Sequence, residues 1–207
     1  MKRTVVLKID PKHPDKEILS HAAKVIRHGG LVVFPTETVY GIAANLLKDS
    51  AIDRLYRVKG RPRAKPFTVH IAGLAIIRKM GCKITKDARA LIDKFWPGPL
   101  TIILSSKTGE KIGFRMPANR VALELIKMSQ VPVAAPSANP SGSCPPTSAE
   151  EAVRSLDDKI DLVIDGGRTD VGIESTVIDM TTTPPKILRD GAIDKRKIVR
   201  VLKLGNL

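Results

Sequence analysis

The chain has 207 residues, of which 43% are apolar and 3% aromatic, and it carries 35 Lys and Arg against 21 Asp and Glu. This length suits a single α/β domain, in which Val, Ile, Leu and Ala would fill the core. The surplus of 14 positive charges indicates anionic partners such as nucleotides, phosphate-rich substrates or nucleic acid. Because no segment approaches the ~20 apolar residues of a membrane-spanning helix, and no signal-peptide core follows the first Met, we expect a cytoplasmic protein without membrane contact.

Short apolar segments predict strands that alternate with helical patterns. The strand segments are TVVLKI from residue 4, LVVFPT from 31, FTVHIA from 67, LTIILSS from 100, VPVAAPS from 131, LVIDGG from 162, STVIDM from 175 and a short strand before Arg189. Helices are predicted over Asp15–His28, Asp49–Lys59, Thr85–Phe95, 120–128, Ser148–Leu156 and 193–202. Thr85 and Ser148 are candidate N-caps, and Gly60 is placed to end the second helix. The interleaving predicts one α/β domain over residues 1–207, with a mixed sheet.

Polar loops follow several of these strands, where the carboxyl ends of strands form the usual ligand crevice of open α/β sheets. Thr36 follows LVVFP, and Ser137 and Asn139 follow VPVAAP. Two interpretations stay open for each: a ligand contact, or a hydroxyl or amide that braces its own turn. His70 lies within a strand, where a lone histidine is more often structural. Arg115 lies between apolar neighbours, so its guanidinium needs an anionic partner or a path to solvent.

Two loops are the strongest candidates for anion binding. The segment KGRPRAKPF, from Lys59 to Phe67, places four positive charges within seven residues and restricts them with two prolines. It could be a phosphate clamp or a loose nucleic-acid contact. Residues 136–148 contain four prolines, and a loop of that length between patterned flanks is typically functional. Whether this loop acts as a lid stays open at this point.

Standard signatures of several enzyme classes are missing from the sequence. It contains no GxxxxGK[ST], GxGxxG, GxSxG, HExxH or CxxC motif. Its two cysteines, Cys82 and Cys144, follow no metal-ligand spacing, so no protein metal site is predicted. The scarcity of aromatic residues argues against single-stranded RNA readout by base stacking.

Seven short motifs nevertheless occur in a recognisable order between about residues 18 and 193: PTETVYGI, KGRPRAKP, WPGPLTIIL, FRMP, APSANPSG, ESTVID and LRDGAI. In this order the chain resembles the YrdC/TsaC family of threonylcarbamoyl-AMP synthases, in its single-domain form. The resemblance implies a twisted mixed α/β sheet with a large basic concave cleft. It also implies a nucleotidyltransferase that forms threonylcarbamoyl-AMP and pyrophosphate from L-threonine, bicarbonate or CO₂, and ATP with Mg²⁺. A downstream complex would then transfer the threonylcarbamoyl group to tRNA.

The resemblance also assigns roles to individual residues. The implied catalytic residues are Lys59, Arg61, Ser137 and Asn139. The implied ATP contacts are Lys59, Arg61, Lys65, Asn139, Thr147 and Arg189. The implied threonine contacts are Thr36, His70, Arg115, Ser137 and Ser175. The phosphates of ATP, rather than the protein, would hold the Mg²⁺.

Two departures and two alternative functions accompany this resemblance. Ala43 stands where the family usually has glycine, and Asp190 where proline is common. The main alternative is a module that binds double-stranded RNA or tRNA through a basic concave surface. A carbamoyltransferase role is the weaker alternative, since the chain has neither an acylphosphatase-like region nor zinc-finger cysteines.

Overall fold

The computed structural model describes residues 4–203, and residues 1–3 and 204–207 of the expected domain lie outside it. The strands are β1 (Val5–Lys8), β2 (Val32–Phe34), β3 (Gly41–Asn45), β4 (Val69–His70), β5 (Leu100–Ser105), β6 (Lys111–Arg115), β7 (Val133–Ala134), β8 (Leu162–Asp165), β9 (Thr176–Asp179) and β10 (Lys186–Arg189). The helices are α1 (Lys16–Arg27), α2 (Asp49–Lys59), α3 (Ala75–Lys79), α4 (Lys86–Phe95), α5 (Arg120–Ser129), α6 (Ala149–Leu156) and α7 (Lys195–Leu202). All the elements expected from the sequence are present, and three further ones, β3, β6 and α3, were not predicted.

Capping side chains and glycine explain where the helices begin and end. The Asp15 carboxylate accepts hydrogen bonds from the N–H groups of the first turn of α1, at 2.7 and 3.2 Å. Thr85 and Ser148 cap α4 and α6 in the same way, as predicted. Gly60 ends α2 in the left-handed conformation, with φ of 57°. Among residues 4–203, no helix is long and apolar enough to cross a membrane.

All ten strands belong to one sheet in the order β1-β8-β2-β3-β7-β4-β6-β5-β9-β10. The pairs β1–β8, β8–β2, β4–β6 and β5–β9 are parallel, and the other neighbours are antiparallel. The predicted mixed α/β architecture is therefore confirmed. Neither β3 nor β6 is an edge strand, so each completes the hydrogen bonds of two neighbours.

The two halves of the sheet are covered differently. Helices α1 and α5 pack on one face of the β1-β8-β2-β3-β7 half, and α2 and α6 pack on the other. On the remaining half, α3, α4 and α7 cover one face only. Along β5, Leu100, Ile102 and Leu104 point into that helix-covered core, whereas Thr101 and Ile103 line cavities on the opposite face. The half-covered sheet thus leaves an open face on which a ligand site can form.

Candidate active site

Two adjoining cavities lie on the open face of the sheet. The inner cavity has a volume of about 110 Å³ and the outer cavity about 320 Å³. The residues that line both are Lys59, Arg61, Ser137, Glu174 and Arg189. The expected site residues that line only the inner cavity are Thr36, His70, Arg115 and Ser175, and those that line only the outer cavity are Lys65 and Asn139. The fold therefore brings together ten of the residues that the sequence analysis singled out.

Thr147 is the expected site residue that lies outside both cavities. It precedes α6, where its N–H and hydroxyl donate to a Glu151 carboxylate oxygen at 2.7 and 3.1 Å. Its hydroxyl also accepts a hydrogen bond from Arg168 at 3.2 Å. These contacts fix the start of α6, and a role for Thr147 in ATP binding stays a prediction.

Lys59 connects the end of α2 to the loop that follows β7. Its side chain is buried, and Nζ donates to the carbonyl of Ser137 at 2.6 Å and to the carbonyl of Asn139. The Lys59 carbonyl in turn accepts from the N–H of Ser141 at 2.7 Å. Burial lowers the pKa of Lys59 to about 8, and the charge of Arg61 contributes to that lowering. Lys59 thus connects the segment after α2 to the loop after β7, through its side-chain ammonium and through its backbone carbonyl.

Arg61 is held in place by hydrogen bonds within its own proline-containing segment. Its Nε donates to the Lys65 carbonyl at 2.8 Å, and its guanidinium donates to the Pro66 carbonyl at 3.1 Å. The guanidinium carbon lies 5.4 Å from the centre of the Phe67 ring. Partial burial is the main cause of the lowered pKa of Arg61. The segment is a preformed bend that presents Arg61 to both cavities, in keeping with a clamp rather than a loose chain.

Arg115 has the anionic partner that its apolar neighbours required. A guanidinium nitrogen lies 2.9 Å from a carboxylate oxygen of Glu37, at an angle that makes no hydrogen bond, and both side chains are less than a tenth exposed. The same nitrogen donates to the Thr38 hydroxyl at 2.7 Å, while Nε has no partner within residues 4–203. Burial lowers the pKa of Arg115 and the Glu37 charge opposes that shift. Glu37 was missed by the sequence analysis, although it lies within PTETVYGI.

His70 and Thr36 complete the polar wall of the inner cavity. Burial, and then the charge of Arg115, hold the pKa of His70 well below its usual value, so the imidazole is neutral at pH 7. Its Nδ1 has no hydrogen-bond partner among the described residues. The Thr36 hydroxyl donates to the Val39 carbonyl at 2.7 Å and accepts from the N–H of Thr38 at 3.2 Å. Thr36 therefore braces its own turn while it also lines the cavity.

A hydrogen-bonded cluster forms where β5, β9 and β10 lie side by side. The hydroxyls of Thr101 and Ser175 are 2.8 Å apart, and Arg189 donates to the Ser175 carbonyl and hydroxyl at 3.0 and 3.1 Å. Arg189 also forms an ion pair with Glu174 at 2.7 Å. Thr101 and Glu174 were not identified from the sequence; Glu174 begins ESTVID, and that position was its only signal.

The chain offers no cage of its own for a metal ion within residues 4–203. No group of three or more His, Cys, Asp or Glu side chains in that range is placed to hold one. Cys82 is buried, Cys144 is exposed, and both are free thiols. Glu174 is the sole carboxylate among the described residues that line the two cavities. Mg²⁺, which prefers octahedral oxygen ligands, would need most of its ligands from phosphates and water.

Comparison with known proteins gives concordant matches. The family model described as "Telomere recombination", for Sua5, YciO and YrdC, matches residues 24–191. The chain is 45% identical to the threonylcarbamoyl-AMP synthase of Pyrococcus abyssi over 190 residues, and 40% identical to that of Bacillus subtilis over 194. These alignments cover 87% and 89% of this chain but only 56% of each relative, so the chain spans little more than half their length.

Solved structures agree with the sequence relatives. The crystal structure of P. abyssi Sua5 complexed with L-threonine superposes with a TM-score of 0.90 and 41% identity, over 96% of this chain and 61% of that one. E. coli YciO superposes with a TM-score of 0.83 and 27% identity, over 98% and 100% of the two chains. The family model, the relatives and the fold all point to one assignment: this chain belongs to the Sua5/YciO/YrdC family.

Proposed function

We propose that the chain is an L-threonylcarbamoyladenylate synthase, which forms threonylcarbamoyl-AMP and pyrophosphate from L-threonine, bicarbonate or CO₂, and ATP. The names of the P. abyssi and B. subtilis relatives support this activity, and P. abyssi Sua5 is a protein crystallised with L-threonine. The observation that carries the proposal is the junction of the two cavities. There Lys59, Arg61, Ser137 and Arg189 face a small inner space and a larger outer space at once.

This junction suits the meeting of two anionic substrates. Threonine would occupy the inner cavity, with its carboxylate near the buried guanidinium of Arg115, and the ATP phosphates would occupy the outer cavity, beside Arg61 and Lys65. The cations offset the repulsion between the carboxylate, the carbamate and the phosphates. Mg²⁺, when bound to the phosphates, would share part of their charge.

Catalysis in this arrangement would rest on positioning and electrostatics. Threonine carbamate is nucleophilic once formed, so the site has to align its oxygen with the α-phosphorus and stabilise the charge that develops there. Lys59 holds the loop that carries Ser137 and Asn139 through hydrogen bonds to their carbonyls, which fixes this loop before the substrates arrive. Preorganised donors of this kind lower the barrier without any reorganisation during the reaction.

Release of pyrophosphate tests the proposal directly. With ATP and Mg²⁺ present, we expect release to require both L-threonine and bicarbonate, and the adenylate to appear in equal amount. A coupled pyrophosphate assay with either substrate omitted is the measurement, and mass spectrometry identifies the adenylate. Release that does not depend on threonine would contradict the proposed function.

Transfer to tRNA and a cytoplasmic location would follow from this activity. Threonylcarbamoyl-AMP is a mixed anhydride, so a partner enzyme that accepts it must act before water hydrolyses it. Such a partner would place the group on tRNA adenosine, as the resemblance implies. ATP and tRNA are available together in the cytoplasm.

Backbone binding of RNA is a second candidate function, and a specific cavity favours it. A cavity of about 720 Å³ is lined by five basic side chains and no carboxylate. These basic residues are Arg78, Lys83, Lys86, Arg89 and Lys107. Its apolar floor includes Leu74 and Cys82, which pack into the helix-covered core, so the cavity lies opposite the open face. Arg89 is paired with Asp93 at 2.8 Å, and the other four cations suit a phosphate backbone, whose binding weakens steeply with salt.

Charge reversal separates this candidate from the enzymatic site. We expect Lys83→Glu, Lys86→Glu and Lys107→Glu together to weaken binding of a short RNA duplex at least tenfold, and to reduce the slope of log K against log salt by roughly 0.9 for each phosphate that the protein no longer neutralises. Fluorescence anisotropy over a salt series measures both, and pyrophosphate release should be unchanged. The matched control reverses three lysines of α1 and α5 on the other half of the sheet: Lys16, Lys24 and Lys127. Equal losses in the two triple variants would rule out a dedicated surface.

A further inference from the structure

We propose that Glu174 binds the ammonium group of threonine and accepts a proton from it when the amine attacks CO₂. This inference rests on the proposed function and adds to it a residue that contacts the amino group of threonine. Glu174 is the one carboxylate that, within residues 4–203, lines the inner and outer cavities. It stands at their junction, where the amine has to meet CO₂ and the resulting carbamate has to meet ATP.

The charge of the cleft favours such a group. Four cationic side chains line the inner cavity, namely Lys59, Arg61, Arg115 and Arg189. They favour the carboxylate of threonine and the phosphates of ATP, but they repel an ammonium ion. Since threonine carries both charges, a purely cationic site would bind one end of the substrate and reject the other. The Glu174 carboxylate supplies the missing attraction.

The position of Glu174 is fixed by its surroundings. Its carbonyl accepts from the N–H of Ala192 at 2.9 Å, and Gly191 packs directly against the backbone of residues 174–176. Arg189 holds Oε1 at 2.7 Å. A carboxylate has about four acceptor positions, so this ion pair leaves room for an ammonium. The charge of Glu174 also acts to raise the pKa of Lys59, of Arg61 and of Arg115 against the larger effect of burial, which places the carboxylate within electrostatic reach of all three.

The proton transfer balances without any further reactant. The substrate ammonium gives one proton to a Glu174 oxygen, which acts as the base for this step. The nitrogen lone pair then forms the N–C bond to CO₂, and one C=O π pair moves onto oxygen. The nitrogen loses a second proton to water, which leaves threonine carbamate. Glu174 returns its proton to solvent before the next turnover.

Binding of threonine and of its deaminated analogue tests the ammonium contact. The analogue (R)-3-hydroxybutyrate keeps the carboxylate and the β-hydroxyl but has no ammonium. In titration calorimetry without ATP or Mg²⁺, we expect Glu174→Gln to weaken threonine binding about tenfold or more, because a charged hydrogen bond is lost. Affinity for (R)-3-hydroxybutyrate should stay the same or improve. Glu150→Gln, on the exposed face of α6, is the matched control and should change neither affinity.

Three other results would contradict the ammonium contact, the base role or the proposed function, respectively. If Glu174→Gln keeps the full preference for threonine, or weakens both ligands equally, Glu174 is not the ammonium acceptor and the inference is wrong. If threonine binding weakens but turnover at saturating threonine does not fall, the base role is wrong; we expect that turnover to drop about a hundredfold. If the unaltered protein neither binds threonine nor releases pyrophosphate with it, the proposed function itself fails.

Discussion

Lys59→Ala should reduce threonine-dependent pyrophosphate release by about a hundredfold or more, the scale on which removal of one preorganised donor slows catalysis. The substitution removes the ammonium that lines both cavities, takes one of two donors from the Ser137 carbonyl, and removes the Lys59 donor from the Asn139 carbonyl. The loop that presents Asn139 would then lose its fixed position. Steady-state turnover at saturating ATP and threonine is the measurement.

Arg63→Ala is the matched control for this experiment. Arg63 lies four residues from Lys59 in the same basic segment, but it is exposed, pairs with Asp53 and lines neither cavity. We expect its turnover to stay within about twofold of the unaltered protein, since an exposed ion pair contributes little. Similar losses in both variants would mean that the segment acts through its total charge, and the role assigned to Lys59 would be rejected.

The pH dependence of Lys59 gives a second readout of the same residue. Because burial lowers its pKa to about 8, the value of kcat/KM for ATP should fall as pH rises through about 8, where the ammonium loses its charge. Lys59→Ala should lack this decline.

Stability should move in the opposite direction. Between about pH 8 and 10.5 the unfolded chain binds the proton that the folded chain has lost, so the free energy of unfolding rises with pH.

Gly191→Ala is expected to damage both the fold and the site. A Cβ atom at Gly191 would lie 2.5 Å from three backbone atoms, the carbonyl oxygen of Glu174, the carbonyl carbon of Ser175 and the nitrogen of Thr176. Backbone cannot move aside as the end of a side chain can, so the strand has to shift. We expect a loss of about 3 kcal/mol in the free energy of unfolding. For a chain of this size that lowers the melting temperature by roughly 6–12 °C.

Threonine binding should weaken in the same variant, since residues 174 and 175 move with the strand. Thermal unfolding followed by circular dichroism and calorimetric titration with threonine are the two measurements. Gly73→Ala provides the control, because a Cβ there meets no heavy atom within 4 Å and the glycine has no positive φ. An unchanged melting temperature in Gly191→Ala would show that the β9–β10 region tolerates the shift, and that close packing does not require glycine there.

The helices and most strands were predictable because their signals are local. The predicted caps at Thr85 and Ser148 and the glycine at 60 are all confirmed. β3 was missed because its sequence, GIAAN, has little strand preference, and its two neighbours in the sheet stabilise it instead. β6 was missed because Gly113 interrupts a short segment with charged ends, and α3 because five residues are too few to show a period.

The part of the candidate site that lies at strand ends or consists of cationic residues was predictable from the sequence. The loops after β2 and β7, and the basic segment after α2, converge as expected. Glu37 and Glu174 were missed for a common reason. A carboxylate among cationic residues contradicts the charge of its surroundings, so it stands out only when its cationic partner is known. Arg115 and Arg189 are those partners, and the sheet, not local sequence, brings each pair together.

The half-covered sheet makes strand register a condition for forming the candidate site. On β5, Leu100 and Ile102 face the core while Thr101 faces the inner cavity. On β6, Phe114 faces the core and Arg115 faces the inner cavity. A slip of one residue would turn every side chain of a strand to the opposite face. It would bury the polar groups of the cleft among α3, α4 and α7 and expose leucine and isoleucine to the substrate. A slipped strand would therefore lose core packing and the candidate site together, so the register that stabilises the sheet is also the register that forms the site.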